Sequence, residues 1–342
     1  LFIVPVILSI LFNVSNLSFF LTGSVQYVVG VLIFLIMLEL AKRGESIITS
    51  NSLRNIFYIF FFGALLEIIG ILRPFTHMFL EAFHGGGHLT ITRDIAYLGY
   101  IRPVFWTSEP SDFSKGILVF FVAYYFMDHK KANLILVINL ILLVLIGSPI
   151  LLVSILLILF FRFKLHLLKI QELIRFLVIV VFGSLATGWI FKDSIRSFFL
   201  KRAENLLDDN VQTSEFVRVI MPFINVKDVI SVKPFFGLGF GGKELIVNYT
   251  SLGRMEVFLL GGQIIGNNAI GTLIVYCGVV GAVVFFFALL YLARRYFGSI
   301  LSFLAIFVSI SFCMGAIESV RFWGYLGILG YCFYVNRENF IN

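Results

Sequence analysis

Apolar runs long enough to cross a bilayer dominate this chain, and short charged connections separate them. At about 20 residues per helical span, with shorter ones tolerated near the interfaces, the pattern predicts ten spans. They cover residues 1–12 (a partial span), 25–40, 55–72, 113–127, 134–146, 149–161, 173–191, 269–293, 298–316 and 322–335. The apolar run 132–163 is too long for one span and short for two. Gly147, Ser148 and Pro149 at its middle favour a tight turn between two helices, because proline cannot continue the first one.

Two long segments, 73–112 and 192–268, interrupt the apolar pattern. Within the second, residues 194–207 set Ile195, Phe198, Phe199 and Leu206 against Arg196, Lys201, Arg202 and Glu204, which suggests a helix lying in the membrane interface. A second helix is expected to start near Ser214 and to run through Arg218 to Pro222 or beyond. No internal repeat is evident. The expected architecture is a single all-α membrane domain over residues 1–342, a polytopic helical bundle with a large helical loop outside the membrane.

Composition agrees with that class. Of 342 residues 60% are hydrophobic and only 13% are charged, far from the balance of a soluble domain. The 26 Lys and Arg exceed the 19 Asp and Glu, giving a net charge of +7. In a membrane protein such an excess first reflects orientation. With the hairpin in place, Lys42, Arg43, Arg54, Lys130, Lys131, Arg162, Lys164, Lys169, Arg175, Arg294, Arg295 and Arg337 all fall on one side, which is therefore expected to be cytoplasmic. The segments 73–112 and 192–268 then face outward. The second mixes nine basic with eight acidic residues, so it is not a simple polybasic tether. Cys277, Cys313 and Cys332 lie in apolar runs without metal or redox spacing and are expected to be packing residues. The chain opens at Leu1 inside an apolar run, so further residues are expected to precede it.

The stretch GLGFGGKE at 237–244 approaches a nucleotide-binding P-loop. It places Glu244 where the motif needs Ser or Thr for Mg²⁺, and no strand precedes Gly237. The glycines suggest instead a tight turn after a helix. That turn is either a plain connection or a backbone that lets a bulky, anionic or sugar ligand come close at Gly237 and Gly239. His77, His84 and His88 invite a metal reading. The glycines at 85–87 prevent helical i,i+4 geometry and no carboxylate or Cys completes a set, so no metal site is expected. Glu67 and Glu318 lie within or at the ends of apolar spans, where an ionisable group is costly and is paired or functional.

Four pieces in order carry a resemblance. They are RPVFWTSEPS at 102–111, leading into a span; LIGS at 145–148; Arg218 ahead of PFFGLG at 234–239; and NNAIG at 267–271 followed by GVVG at 278–281. Together, over roughly residues 93–293, they resemble the O-antigen polymerase and O-antigen ligase family of bacterial polysaccharide assembly. The second piece is similar to a Thr-Gly-Ser-Arg turn but lacks its arginine. Asn267 stands where the ligases and many polymerases carry His, so the resemblance leans toward a polymerase.

The resemblance implies an enzyme of the bacterial inner membrane with its site facing the periplasm. Its donor would be a glycan on undecaprenyl pyrophosphate and its acceptor a second lipid-linked unit, with membrane lipids and a chain-length regulator as further partners and no nucleic acid or cofactor. A glycosyl pyrophosphate already has a good leaving group. The enzyme must chiefly neutralise its developing charge, and arginine does this bidentately. Arg218 and Arg102 are the first candidates, and Arg93, Arg254 and Arg321 are expected on the same face. Asn267 and Asn268 would contact substrate. Glu109, before Pro110, is either a partly buried base or a structural partner of Arg102. The competing functions are a ligase acting on the lipid A core and a transporter that flips a lipid-linked sugar.

Overall fold

The computed structural model describes residues 2–7, 17–84, 101–105, 107, 109–165, 221–240, 246, 249 and 268–341. Among these, every regular element is a helix and none is a strand. The α-helices in chain order are α1 (Leu17–Lys42), α2 (Ser50–Ile68), α3 (Arg73–His84), α4 (Pro110–Met127), α5 (Ala132–Ile146), α6 (Pro149–Arg162), α7 (Met221–Val232), α8 (Ala269–Leu292), α9 (Ile300–Cys313), α10 (Val320–Val335) and α11 (Glu338–Ile341), with a short 3-10 turn at His129–Lys131 and a π-helical turn at Ala293–Phe297.

Three stretches, Leu21–Lys42, His129–Ile146 and Ala269–Phe297, are long and apolar enough to cross a membrane. A fourth forms if Ser50–Ile68 and Arg73–Phe79 make one span, although these two are bent by 103°. That bend modifies the expectation for segment 73–112, which opens with a helix rather than a plain loop. Half of the expected span at 1–12, and all of the span at 173–191 and of the interface helix at 194–207, lie outside the described residues.

The residues divide into two compact units, Leu35–Lys164 with Tyr325–Asn342, and Leu1–Phe34 with Leu165–Gly324. The first is built on α4. Proline opens this helix, where a missing N–H costs nothing. From Phe113 to Phe126 almost every side chain is buried. Phe121 packs 4.4 Å from Phe57 of α2, and Phe126 meets Phe161 of α6 and Phe333 of α10 edge-on. The hairpin of α5 and α6 forms as the sequence predicts. Gly147 adopts a left-handed conformation (φ 63°), its N–H closes on the Leu143 carbonyl at 2.9 Å, and Pro149 starts α6.

The second unit packs around Trp323 of α10, which is fully buried. Phe2, Tyr27 and Phe322 meet it edge-on at 5.2–5.9 Å. Gly30 leaves the room for this ring, since a Cβ there would lie 2.6 Å from it. The free thiols Cys277, Cys313 and Cys332 are all buried, in keeping with packing roles.

Candidate functional site

In the unit built on α4, the segment 101–105 is held against α2 by one carboxylate. Glu67, one residue from the end of α2, is buried at 2% exposure. Its Oε1 accepts the Val104 N–H at 3.2 Å and the Thr76 hydroxyl at 3.3 Å, and its Oε2 accepts the Phe105 N–H at 2.7 Å. Arg73 adds a further tie by donating to the Ile101 carbonyl at 2.9 Å. Phe105 is held with φ 43°, a left-handed conformation that costs a non-glycine residue about 1–3 kcal/mol. Its ring fills the slot beside Gly63, where a Cβ would lie 2.2 Å away.

This anchoring holds Val104 and Phe105 just after Arg102, which is half-buried. Glu109 caps α4 through its backbone, its carbonyl accepting the Asp112 and Phe113 N–H groups at 3.0 and 3.1 Å. Its carboxylate is exposed and accepts the Ser111 hydroxyl at 3.0 Å. Partial burial of Glu109, one of the two sequence expectations, is therefore corrected. The residue that enters the interior beside this segment is Glu67.

In the other unit, α8 is broken. Gly278 takes φ 62° and ψ −168°, so the helical ladder is interrupted midway. Unpaired backbone groups inside a membrane cost several kcal/mol each, so a broken span needs partners from protein. The stretch 234–239, just after α7, supplies them. Leu238 and Gly239 donate to the Val275 and Tyr276 carbonyls at 2.9 and 2.8 Å. The carbonyls of Pro234 and Phe235 accept the Val279 and Val280 N–H groups at 2.9 and 3.2 Å.

Such closeness requires glycine on both sides. A Cβ on Gly237 would lie 2.4 Å from the Val275 oxygen, and one on Gly278 would lie 2.4 Å from the Phe235 carbonyl carbon and oxygen. What comes close to Gly237 is thus the chain's own backbone. The turn follows a helix rather than a strand, which agrees with rejecting the P-loop; Lys243 and Glu244 lie outside the described residues.

Asn268 caps α8, its Oδ1 accepting the Ile270 and Gly271 N–H groups at 2.9 and 3.2 Å. It is fully buried, and its Nδ2 has no hydrogen-bond partner among the described residues. One turn on, the Thr272 hydroxyl accepts the Ile317 N–H at 3.1 Å, and Trp323 Nε1 donates to the Ile317 carbonyl at 2.7 Å. Both backbone groups of Ile317 are thereby fixed, which sets the next residue, Glu318, over the break. The Tyr276 hydroxyl donates to Glu318 Oε1 at 3.1 Å, with both residues buried. Phe240, at the end of the inserted stretch, packs against Tyr27 and Tyr276. Arg321 is exposed at the start of α10.

Of the residues expected from sequence, Arg102 and Glu109 fall in one unit, and Gly237, Gly239, Asn268 and Arg321 in the other. Arg93, Arg218, Arg254 and Asn267 lie outside the described residues. His77 approaches Glu81 of its own helix at 3.3 Å, and His88 is outside the described residues. Tyr276, Thr272 and Trp323 carried no sequence signal, because each sits in an apolar run with nothing local to mark its partner. Comparison of the chain with protein-family models, with curated proteins and with solved structures finds no match.

Proposed function

We propose that this chain is an integral-membrane glycosyltransferase that polymerises oligosaccharide units carried on undecaprenyl pyrophosphate, as the O-antigen polymerases do. In this reading ten spans cross the bacterial cytoplasmic membrane and the loop 192–268 faces outward. One observation carries the reading. Two of the four sequence pieces that resemble the family meet here: PFFGLG at 234–239 and the GVVG at 278–281 that follows NNAIG are distant in the chain, yet they join backbone to backbone at the break in α8.

In the reaction the acceptor hydroxyl oxygen bonds to the anomeric carbon of the donor. The bond from that carbon to the pyrophosphate oxygen breaks, its electron pair leaving on the phosphate, and the hydroxyl proton passes to a carboxylate or to water. The protein's task is to place the two reactants and to stabilise the departing charge. Arg218 is assigned to the pyrophosphate, with Arg102, Arg93, Arg254 and Arg321 as further cations for donor and acceptor. Glu109, whose carboxylate is exposed, is the candidate proton acceptor. No metal or cofactor takes part in this scheme.

The broken helix also favours a second reading, a transporter for the lipid-linked sugar, since discontinuous spans often bind cargo through freed backbone groups. Here the stretch 234–239 occupies the groups that the break releases, which weighs toward the polymerase. A deletion strain separates the alternatives. Loss of a polymerase leaves surface glycan one repeat unit long. Loss of a transporter leaves none at the surface, and loss of a ligase leaves long chains on the lipid carrier.

A further inference from the structure

We infer that the end of the α4–α5–α6 assembly carries a binding site for the phosphate headgroup of an anionic phospholipid. A cavity of about 220 Å³ opens there, between the end of α4, the start of α5, the end of α6 and α11. Lys130, Arg162, Lys164 and His129 line it, and no carboxylate is among its described lining residues. Arg162 is held in place by donating to Asn133 Oδ1 at 2.5 Å. At about 30 Å³ per water the cavity has room for about seven waters, enough for a phosphodiester with part of its glycerol.

Two further observations select a lipid over a free phosphate. Val137, Ile141 and Val144 continue from Asn133 along one face of α5 at helical spacing, and they are 54%, 40% and 76% exposed. An apolar track for acyl chains therefore runs from the cationic cavity. Phe163, between Arg162 and Lys164 in sequence, is 62% exposed, as suits a ring at the headgroup boundary. Cations beside a span attract anionic headgroups, and each Lys or Arg that reaches the bound headgroup contributes about fivefold in affinity.

The test uses the purified full-length chain in detergent micelles and native mass spectrometry to count bound lipid. The probes are phosphatidylglycerol, diphosphatidylglycerol, phosphatidylcholine and inorganic phosphate. Wild type should retain the two anionic lipids in preference to phosphatidylcholine, and millimolar inorganic phosphate should not displace them. The triple variant Lys130→Gln, Arg162→Gln, Lys164→Gln should weaken anionic lipid binding on the order of 10²-fold. A control triple at other basic positions, Lys42→Gln, Arg43→Gln, Arg54→Gln, should change it by no more than about twofold.

Lys130→Gln with Lys164→Gln keeps the Arg162–Asn133 contact and covers the case in which the first triple misfolds; an intermediate loss is expected. Equal weakening by both triples would reduce the site to diffuse surface charge. Equal retention of phosphatidylcholine, or full displacement by inorganic phosphate, would overturn the lipid assignment. None of these outcomes depends on glycosyltransferase activity.

Discussion

Glu67 ends an apolar helix, yet its two oxygens take two backbone N–H groups and a hydroxyl. Hydrogen bonds to a charged group are worth about 1.5–3 kcal/mol each, and an amide keeps only one acceptor oxygen. Glu67→Gln should therefore lower stability by about 2–4 kcal/mol and increase hydrogen exchange at Val104 and Phe105, whereas Thr76→Val should cost about 1 kcal/mol. Thermal unfolding in micelles and amide exchange would read both effects, and unchanged protection at Phe105 in Glu67→Gln would contradict the anchoring role. The sequence marks Glu67 as costly but cannot name its partners, because Thr76 lies on the next helix and the two backbone N–H groups belong to Val104 and Phe105, 37 and 38 residues away.

Gly278 offers a second comparison at this scale. Gly278→Ala adds a Cβ at 2.4 Å from the Phe235 carbonyl at positive φ, whereas Gly44→Ala, at φ 74°, meets nothing within 4 Å. The exposed Gly44 variant should lose about 1–2 kcal/mol, the backbone cost alone. Gly278→Ala should lose clearly more, since the inserted stretch must move. Equal losses in unfolding experiments would show that the two backbones are not in close contact.

Elements were legible where their signals are local. Gly147, Ser148 and Pro149 place a helix end, a turn and a helix start within three residues, and the α5–α6 hairpin follows. The break in α8 was not legible, because Ala269–Leu292 reads as one apolar run and its cause, the stretch 234–239, is distant in the chain. Segment 73–112 likewise hid α3, whose helix turns away from α2 after Gly70. The hairpin has a topological consequence. Single cysteines at Lys131 and Lys164 should react with an impermeant maleimide from the same side of the membrane, and a cysteine at Ser148 should not share that accessibility. Opposite sidedness for Lys131 and Lys164 would mean that 132–163 is a single span.

For the whole molecule, apolar composition made the membrane class legible, whereas the proposed reaction would depend on residues that spacing alone cannot bring together. Arg218 is central to the proposed chemistry. Its fork can meet two phosphate oxygens at once, so Arg218→Lys should be impaired as well as Arg218→Ala, each on the order of 10²–10³ in rate. A merely solvated arginine would tolerate lysine. The most direct measurement reconstitutes the purified chain with synthetic lipid-linked repeat units, without nucleotide and with EDTA, and resolves product lengths on a gel. The account predicts a ladder of long chains from wild type and short products from both Arg218 variants at equal protein levels. A strict requirement for nucleotide or a divalent metal, or wild-type ladders from either variant, would contradict it.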